Sequence, residues 1–396
     1  MSDSAAKPTL SPEFTILTLC ARRSLEKSDI AGLRETLSEP VDWEAVLQLA
    51  DVHGLIPLLS EHLAKIREEK LPPEFRSRLL DTSRERALRA LLLTAELSKL
   101  VEKFGRYDIP AIAHKGPVLA TTAFGNPVLR QFSDLDFAVP QRFMPVIFER
   151  MSELGYEARL PRETFKETKL GRIPGEYAFR RETDRMLVEF HTERTLRYFP
   201  ISPPMDEMIQ RATTITLNGN AVPTFSREDE LLMLAVHGAK DFWARLIWIA
   251  DIAELVKLPP AMNWTKLFAR ADELKAGRML RLAILLACNI VGLEIPRDVE
   301  AAIEKDRVAG KVATQVYEQL FGKTQACEGI LRRSIYRIRS VEGLWGGLKY
   351  WMRLATAPAE EDWSSFGMPK ALARSYAVLR PVRLWKKYSR SSQQSG

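Results

Sequence analysis

The stretch FSDLDFAVP, residues 132–140, constrains the fold more than any other part of the sequence. Its apolar residues predict a buried strand, yet Asp134 and Asp136 lie two residues apart and therefore share one face of that strand. Two carboxylates held this close repel, and each raises the pKa of the other unless a cation lies between them. Mg²⁺ suits this place because it binds carboxylates together with substrate phosphates. The alternative is that one aspartate caps the preceding turn while the other pairs with an arginine.

Strand-like segments surround this stretch, whereas both ends of the chain show helical periodicity. Strands are predicted at 109–114, 132–139, 176–181, 186–191, 214–217 and 222–225. Helices are predicted at 84–104, after a turn at PPEF (72–75), and at 116–124, 143–154, 228–242 and 244–257. This order predicts an α+β fold with a small mixed-sheet palm flanked by N- and C-terminal helical domains. The predicted divisions are a disordered lead at 1–11, helices at 12–94, the palm at 95–225, helices at 226–388 and a disordered tail at 389–396.

The residues HKGP, 114–117, open the helix that precedes the two aspartates. Glycine at a helix entrance and proline at its first position suit a helix N-terminus, which attracts anions. Lys115 adds a positive charge there, and Arg130 follows before the strand, so Lys115, Gly116 and Arg130 are predicted to hold phosphate. The alternative for both cations is a solvated surface position. His114 is predicted to be structural, because alternation turns it to the opposite strand face from Lys115.

A third carboxylate occurs in MLVEFHTE, residues 186–193, where Glu189 and His191 share one strand face. Beside Asp134 and Asp136, Glu189 would complete a two-metal clamp and activate an attacking hydroxyl. The alternative for this Glu-x-His pattern is a hydrogen-bonded pair at a strand edge.

The helix predicted at 228–242 adds two further candidates. His237 and Lys240 lie three residues apart and share a helix face, from which they can reach a nucleotide or an acceptor. The alternative is a histidine at the edge of the core beside a solvated lysine. Asp251 lies among apolar residues in WIADIAEL, so it needs a partner, and a salt bridge or a capping role is favoured over an active-site role.

The order of these motifs resembles a bacterial family of largely uncharacterised nucleotidyltransferases within the polymerase-beta-like superfamily. The resemblance extends from about residue 43 to residue 388, and three segments carry it: HKGPVLATTAFGNPVLRQFSDLDFAV, MLVEFHTE and LLMLAVHGAKDFWARLIWIADIAELV. The Gly-Ser usual in the wider superfamily at this helix start is Lys-Gly here, as in the narrower family. The resemblance implies a nucleotidyltransferase palm and an NTP as donor.

The resemblance also implies roles for individual residues. Asp134, Asp136 and Glu189 are implied as ligands of Mg²⁺, with Mn²⁺ as the alternative ion, and Glu189 as the base. The implied nucleotide-binding residues are Lys115, Gly116, Arg130, His191, His237 and Lys240. The acceptor would be a hydroxyl of a small molecule, a sugar or a protein side chain. Two alternatives stay open: a glycosyltransferase that holds a nucleotide-sugar through Asp-x-Asp, and a nucleotide-binding scaffold without turnover.

Composition restricts the location and the partners. Three scattered cysteines predict neither a disulfide framework nor a zinc site, and the apolar runs at 15–21 and 280–293 are too short to span a bilayer, so a cytoplasmic protein is expected. The net charge of +7 is concentrated at the C-terminus, where residues 331–396 hold 13 Lys and Arg against 4 Asp and Glu. Within it, ALARSYAVLRPVRLWKKYSR, residues 371–390, is predicted to be an amphipathic helix that docks on the protein with solvated arginines. The alternatives are peripheral contact with a membrane and, less favoured, nucleic acid.

Overall fold

The computed structural model describes residues 10–66, 71–160, 175–193, 204–322 and 330–343, together with Gly347. The helices in these ranges are α1 (Pro12–Cys20), α2 (Lys27–Thr36), α3 (Trp43–His53), α4 (Ile56–Ile66), α5 (Pro73–Arg106), α6 (Gly116–Thr122), α7 (Met144–Glu153), α8 (Met205–Gln210), α9 (Arg227–Lys240), α10 (Leu246–Lys257), α11 (Trp264–Glu273), α12 (Gly277–Val291), α13 (Arg297–Glu304), α14 (Arg307–Phe321) and α15 (Ile330–Ser340). The strands are β1 (Ile112–His114), β2 (Leu135–Ala138), β3 (Glu157–Ala158), β4 (Glu176–Arg181), β5 (Met186–His191), β6 (Thr213–Leu217) and β7 (Asn220–Thr224). The fold is α+β, as the sequence predicts.

Five of the strands form one mixed sheet in the order β1-β2-β5-β4-β3. Strand β2 runs parallel to β5 and antiparallel to β1, while β4 is antiparallel to both β5 and β3. The parallel pair brings two segments that are more than 50 residues apart in sequence into register. Strands β6 and β7 form a separate antiparallel hairpin.

Alternation along β2 and β5 gives the sheet one apolar and one polar face. On the apolar face Phe137 stacks on Phe190 with ring centroids 5.6 Å apart, and Phe104 of α5 meets Phe137 edge-on at 5.3 Å. Burying each such ring stabilises the fold by about 1.5–3 kcal/mol. The opposite face carries Asp136 and Glu189. The apolar face therefore anchors the sheet on its helices and leaves the polar face for chemistry.

Helices from both ends of the chain share a second core, here called the helical body. Most of its buried residues come from α1–α4 and from α9–α14, and they include Ile16, Leu58, Leu246 and Leu280. Helix α5 joins the two cores, since Phe75 near its start packs in the helical body while later residues of the helix pack under the sheet. Helix α9 of the helical body reaches the polar face, where Glu230 accepts a hydrogen bond from the Lys115 N–H and Lys240 donates one to Glu176.

Most predicted elements occur close to their predicted positions. The bounds of β4 and β5 agree with the prediction, and Ser226 caps α9 by accepting a hydrogen bond from the Asp229 N–H at 3.3 Å. Helix α5 is longer than predicted, because Pro73 of the predicted PPEF turn occupies its first turn, where a proline is tolerated. Strand β3 was not predicted. None of the described helices is both long and apolar enough to cross a membrane.

Several predictions fall on parts of the chain that lie outside the described residues. These are most of the lead at 1–11, the tail at 389–396 and the basic segment that follows α15. The proposed contacts of that segment therefore stay predictions.

Candidate active site on the polar face of the sheet

The register of β2 and β5 brings the predicted carboxylates together. Asp136 lies directly opposite Glu189 in the parallel pair, so both side chains project from the same face of the sheet. Asp134 lies in a bend immediately before β2, not inside the strand. Burial raises the pKa of Asp134, and the neighbouring negative charge of Asp136 raises it further. The three carboxylates therefore form one electrostatic group at the start of β2.

Asp136 is the carboxylate whose charge is already balanced. Its Oδ1 accepts hydrogen bonds from Lys115 Nζ at 3.1 Å and from His191 Nε2 at 2.7 Å. Burial alone would raise the pKa of Asp136, but the Lys115 ammonium and the His191 hydrogen bond outweigh burial and hold that pKa well below its usual range. Asp136 is therefore an anion in the folded protein.

Asp134 and Glu189 lack such a balance. Among the described residues Asp134 has no cationic side chain within 4.0 Å, and Glu189 meets only His191 Nε2, at 4.0 Å. Burial raises the pKa of Glu189, and the charges of Asp136 and Asp134 add to that rise. Hard oxygen donors with unbalanced negative charge are the donor set that Mg²⁺ and Mn²⁺ bind. The residues present thus fit a divalent cation.

Lys115 reaches the site through an unusual backbone conformation. It has φ 51° and ψ −146°, a region that L-residues rarely adopt, and its N–H donates to Glu230 Oε1 at 3.2 Å. The following Gly116 has φ 35°, and a Cβ there would lie 3.3 Å from the carbonyl oxygen of Asp134. Helix α6 has only seven residues. The turn at 115–116 therefore aims the Lys115 ammonium at Asp136 and brings the backbone close to Asp134.

Arg130 lies in a buried ion pair. Its Nε donates to Asp251 Oδ1 and its Nη2 to Asp251 Oδ2, each at 2.7 Å, and the two side chains are 6% and 0% exposed. This bond joins the loop before β2 to α10. The salt bridge expected for Asp251 is confirmed, and the solvated-surface alternative for Arg130 is wrong. Contact between Arg130 and phosphate stays a prediction.

The two candidates from α9 lie at the rim of the site. Lys240 Nζ donates to Glu176 Oε1 at 2.8 Å, and Glu176 lies opposite His191 in the β4–β5 register. Lys240 is therefore paired, not freely solvated. The His237 ring meets Trp248 edge-on with centroids 4.8 Å apart, and burial holds the pKa of His237 well below its usual range, so its imidazole is neutral.

Three residues at the site were not selected from the sequence. His114 lies opposite Asp136 in the β1–β2 register, although it was predicted to be structural and turned away from Lys115. Alternation failed there because the backbone of Lys115 leaves the extended conformation. Glu176 comes from the next strand, and Glu230 comes from α9, 115 residues beyond Lys115. Burial raises the pKa of Glu230 to about 7. No local motif marks either glutamate.

A cavity of about 870 Å³ lies elsewhere, beside α8, α9 and α11. Its charged walls are already paired with each other: Arg211 Nη2 lies 2.8 Å from Asp229 Oδ2, and Arg270 Nε lies 3.4 Å from Asp229 Oδ1. This cavity is therefore a weaker candidate for an anionic ligand than the carboxylate group on the sheet.

Comparison with known proteins identifies the family of the chain. Residues 39–292 match the model of a family described as "Uncharacterised nucleotidyltransferase". No curated protein matches the chain. Six chains of solved structures match, among them the crystal structure of an antigenic nucleotidyltransferase-like protein from Paracoccidioides brasiliensis. It is 17% identical, with a TM-score of 0.33, over 54% of this chain and 92% of that chain. Because the family match covers more than half of the 396 residues, the chain belongs to this family of uncharacterised nucleotidyltransferases.

Proposed function

We propose that this protein transfers a nucleoside monophosphate from an NTP to a hydroxyl acceptor, with Mg²⁺ or Mn²⁺ as cofactor. In this reaction the acceptor oxygen forms a bond to the α-phosphorus, and the bond from that phosphorus to the bridging oxygen breaks. Pyrophosphate leaves with the electron pair, and the hydroxyl proton passes to a base. The polymerase-beta-like arrangement implied by the sequence motifs is part of this proposal.

The observation that carries the proposal is the parallel register of β2 and β5. It aligns Asp136 with Glu189, directly after Asp134, on the polar face of a sheet whose other face is apolar core. An arrangement that places three buried or half-buried carboxylates together costs stability unless a cation joins them. Such a cost is expected where the group serves a bound metal and a phosphate ligand.

The chain's own residues supply the remaining functions. Asp134, Asp136 and Glu189 would hold the cation, which supplies charge neutralisation at the phosphates when it is bound. Glu189 is 34% exposed and has a raised pKa, so it is the carboxylate best suited to accept the hydroxyl proton. The Lys115 ammonium donates a hydrogen bond to Asp136 within this group, and it is proposed to bind the phosphates of the donor NTP.

The other proposed nucleotide-binding residues surround this group. They are Gly116, Arg130, His191, His237 and Lys240. Catalysis would come mainly from positioning and from charge neutralisation in a half-buried site. The acceptor is proposed to be a hydroxyl of a small molecule, a sugar or a protein side chain, and the protein is proposed to act in the cytoplasm.

The basic C-terminal segment is a separate proposal about partners. Contact with an anionic membrane surface would weaken as salt rises, because salt screens the lysine and arginine charges. Sedimentation with anionic vesicles at two salt concentrations tests this, and binding that is absent at low salt would refute it.

The proposed function is tested first by binding. Each of the four NTPs is titrated into the protein by calorimetry, with and without Mg²⁺, and the titration is repeated on Asp134→Asn/Asp136→Asn. The matched control is Asp298→Asn, which removes an exposed carboxylate near the start of α13. Binding that requires Mg²⁺, that disappears in the double variant and that persists in the control supports the site. No binding at millimolar NTP refutes it.

The second test separates the alternative reactions. Release of pyrophosphate from an NTP in an acceptor screen identifies transfer, and it should be lost in Glu189→Gln with NTP binding retained. Hydrolysis of a UDP-sugar, with no reaction of any NTP, identifies the glycosyltransferase alternative. Mg²⁺-dependent NTP binding without release of pyrophosphate across a broad screen identifies a scaffold.

A further inference from the structure

His114 presents an unsatisfied imidazole to the site. The residue is 2% exposed, and neither of its ring nitrogens has a hydrogen-bond partner in the part of the chain that the structure describes. A neutral imidazole always carries one N–H and one lone pair, so an arrangement that leaves both without partners costs free energy. Buried polar groups are nearly always bonded, and the exceptions mark a missing water, an ion or a functional role.

Two further donors lie around His114. His114, Asp136 and His191 each offer one ligand atom, these atoms all lie within 4.8 Å of one another, and all three residues are buried. The rings of His114 and His191 meet edge-on with centroids 5.3 Å apart. Within the described ranges the Nδ1 of His191 also has no hydrogen-bond partner. Three strands thus supply two imidazoles and one carboxylate to one point, since β1, β2 and β5 are neighbours in the sheet.

We infer that His114, Asp136 and His191 form a site for a divalent cation of borderline softness, such as Co²⁺ or Zn²⁺. Imidazole nitrogen is a ligand for these ions, whereas Mg²⁺ requires oxygen donors and keeps much of its water. The inference rests on the proposed function only in sharing Asp136 with the carboxylate group. It adds a nitrogen-rich position that the Asp134–Asp136–Glu189 set does not contain.

The present bonds of Asp136 favour such an ion over Mg²⁺. An incoming cation has to replace two hydrogen bonds at Asp136 Oδ1, from Lys115 Nζ at 3.1 Å and from His191 Nε2 at 2.7 Å. Both are charge-assisted and therefore stronger than neutral hydrogen bonds. An ion that bonds the imidazoles directly gains new bonds in exchange. A hydrated Mg²⁺ at this point gains little from either histidine.

The test measures the metal alone, without nucleotide. Co²⁺, Zn²⁺, Mn²⁺ and Mg²⁺ are titrated into the full-length protein by calorimetry, and Co²⁺ binding is followed by its visible absorption. His114→Phe keeps an aromatic ring beside Phe225, whose centroid lies 5.3 Å from that of His114, and removes both nitrogens. The matched control is His62→Gln on α4, which changes another buried histidine, one whose Nε2 lies 2.7 Å from the carbonyl oxygen of Arg22.

We expect one equivalent of Co²⁺ or Zn²⁺ to bind, and His114→Phe to weaken that binding by at least about 10- to 100-fold, because the loss of a group that only supports a metal ligand already costs that much. His62→Gln should bind the metal as the wild type does. His114→Phe should be at least as stable as wild type without metal, which shows that it folds. Equal Co²⁺ affinity in wild type and His114→Phe would overturn the inference.

The outcomes of this test and of the nucleotide test are distinguishable. Loss of Co²⁺ binding in His114→Phe supports the inference whether or not any NTP binds. Mg²⁺-dependent NTP binding together with Co²⁺ binding that does not depend on His114 supports the proposed function and overturns this inference alone.

Discussion

The ion pair between Arg130 and Asp251 should be essential to stability, because its removal leaves a charge in an apolar interior. Both side chains are nearly or fully buried, and two bonds of 2.7 Å join them. Arg130→Met leaves the Asp251 carboxylate without its cation, and breaking a buried pair in this way costs about 3–5 kcal/mol. With an unfolding entropy of about 2.1 cal/mol/K per residue, the 396-residue chain should melt about 4–6 °C lower.

The loss should also depend on pH. Burial already raises the pKa of Asp251, with Arg130 opposing that rise, so removal of Arg130 raises the folded-state pKa further. Above the unfolded-state pKa of about 4 the folded variant then binds more protons than the unfolded chain, and its stability falls as pH rises by up to about 1.4 kcal/mol per pH unit. Arg130→Met should therefore be more damaging at pH 8 than at pH 5.

Two further variants make this reasoning refutable. Arg130→Met/Asp251→Leu removes both charges and should recover most of the lost stability, because apolar replacement of a buried pair is often neutral or stabilising. Arg142→Met is the matched control, since Arg142 and Asp206 form an equally short pair at 2.6 Å that is 58% and 59% exposed, and it should cost no more than about 1 kcal/mol. Thermal and urea unfolding measure all three. A double variant no more stable than Arg130→Met would contradict the argument.

Three further predictions concern single positions. Gly116→Ala places a Cβ 3.3 Å from the carbonyl oxygen of Asp134 at a residue with positive φ, so it should lower the free energy of unfolding in urea by about 1–2 kcal/mol. Gly105→Ala, which has open space in α5, should raise the free energy of unfolding by about 0.5–1 kcal/mol, and a change of the same sign in both variants would refute this. The Glu230 carboxyl has a pKa of about 7 in the folded protein, so its ionisation there is costly. Relative to wild type, Glu230→Gln should therefore gain stability on the order of 3 kcal/mol as pH rises from about 4.5 to 7. A stability difference between the two proteins that does not change with pH would contradict this prediction. Burial, with a smaller effect from a nearby arginine, lowers the pKa of His53 to about 4. Wild type should therefore lose stability as pH falls from 6.5 to 4, and His53→Gln should lose less. Melting temperatures of the two proteins that fall in parallel over this pH range would be the contrary result.

The sequence was sufficient to predict an element where apolar and polar residues alternate within the segment itself. Strands β4 and β5 have clean alternation on either side of a tight turn at 183–184, and their bounds were predicted correctly. The shared face of Asp136 and Glu189 follows from the same rule once the two strands are in register. Helix α5 was predicted too short because a Pro-Pro pair indicates a turn as readily as a helix start. Strand β3 has only two residues, which is too short for an alternation of apolar and polar residues to indicate a strand.

Long-range pairing was not accessible from the sequence. The partner of Arg130 lies 121 residues away, and the partner of the Lys115 N–H lies 115 residues away, and nothing in either local segment specifies these bonds. His114 was misplaced because strand alternation was extended through Lys115, whose positive φ ends it. The shared face of Asp136 and Glu189 could be predicted because both follow strand alternation, whereas Asp134 lies in the bend before β2 and the groups that balance and orient the carboxylates depend on tertiary packing.

The shared core of the helical body has a consequence for synthesis of the protein. Helices α1–α4 leave the ribosome first but bury their apolar sides against α9–α14, which emerge some 200 residues later. At about 5–20 residues per second, that interval lasts roughly 10–40 seconds, during which the early helices lack their partners and are open to misassembly. The sheet, by contrast, is complete before α9 begins. A chain stopped after β7 should therefore carry a formed sheet on an unfinished, aggregation-prone support, without the helices that supply Glu230, Lys240 and Asp251 to the site.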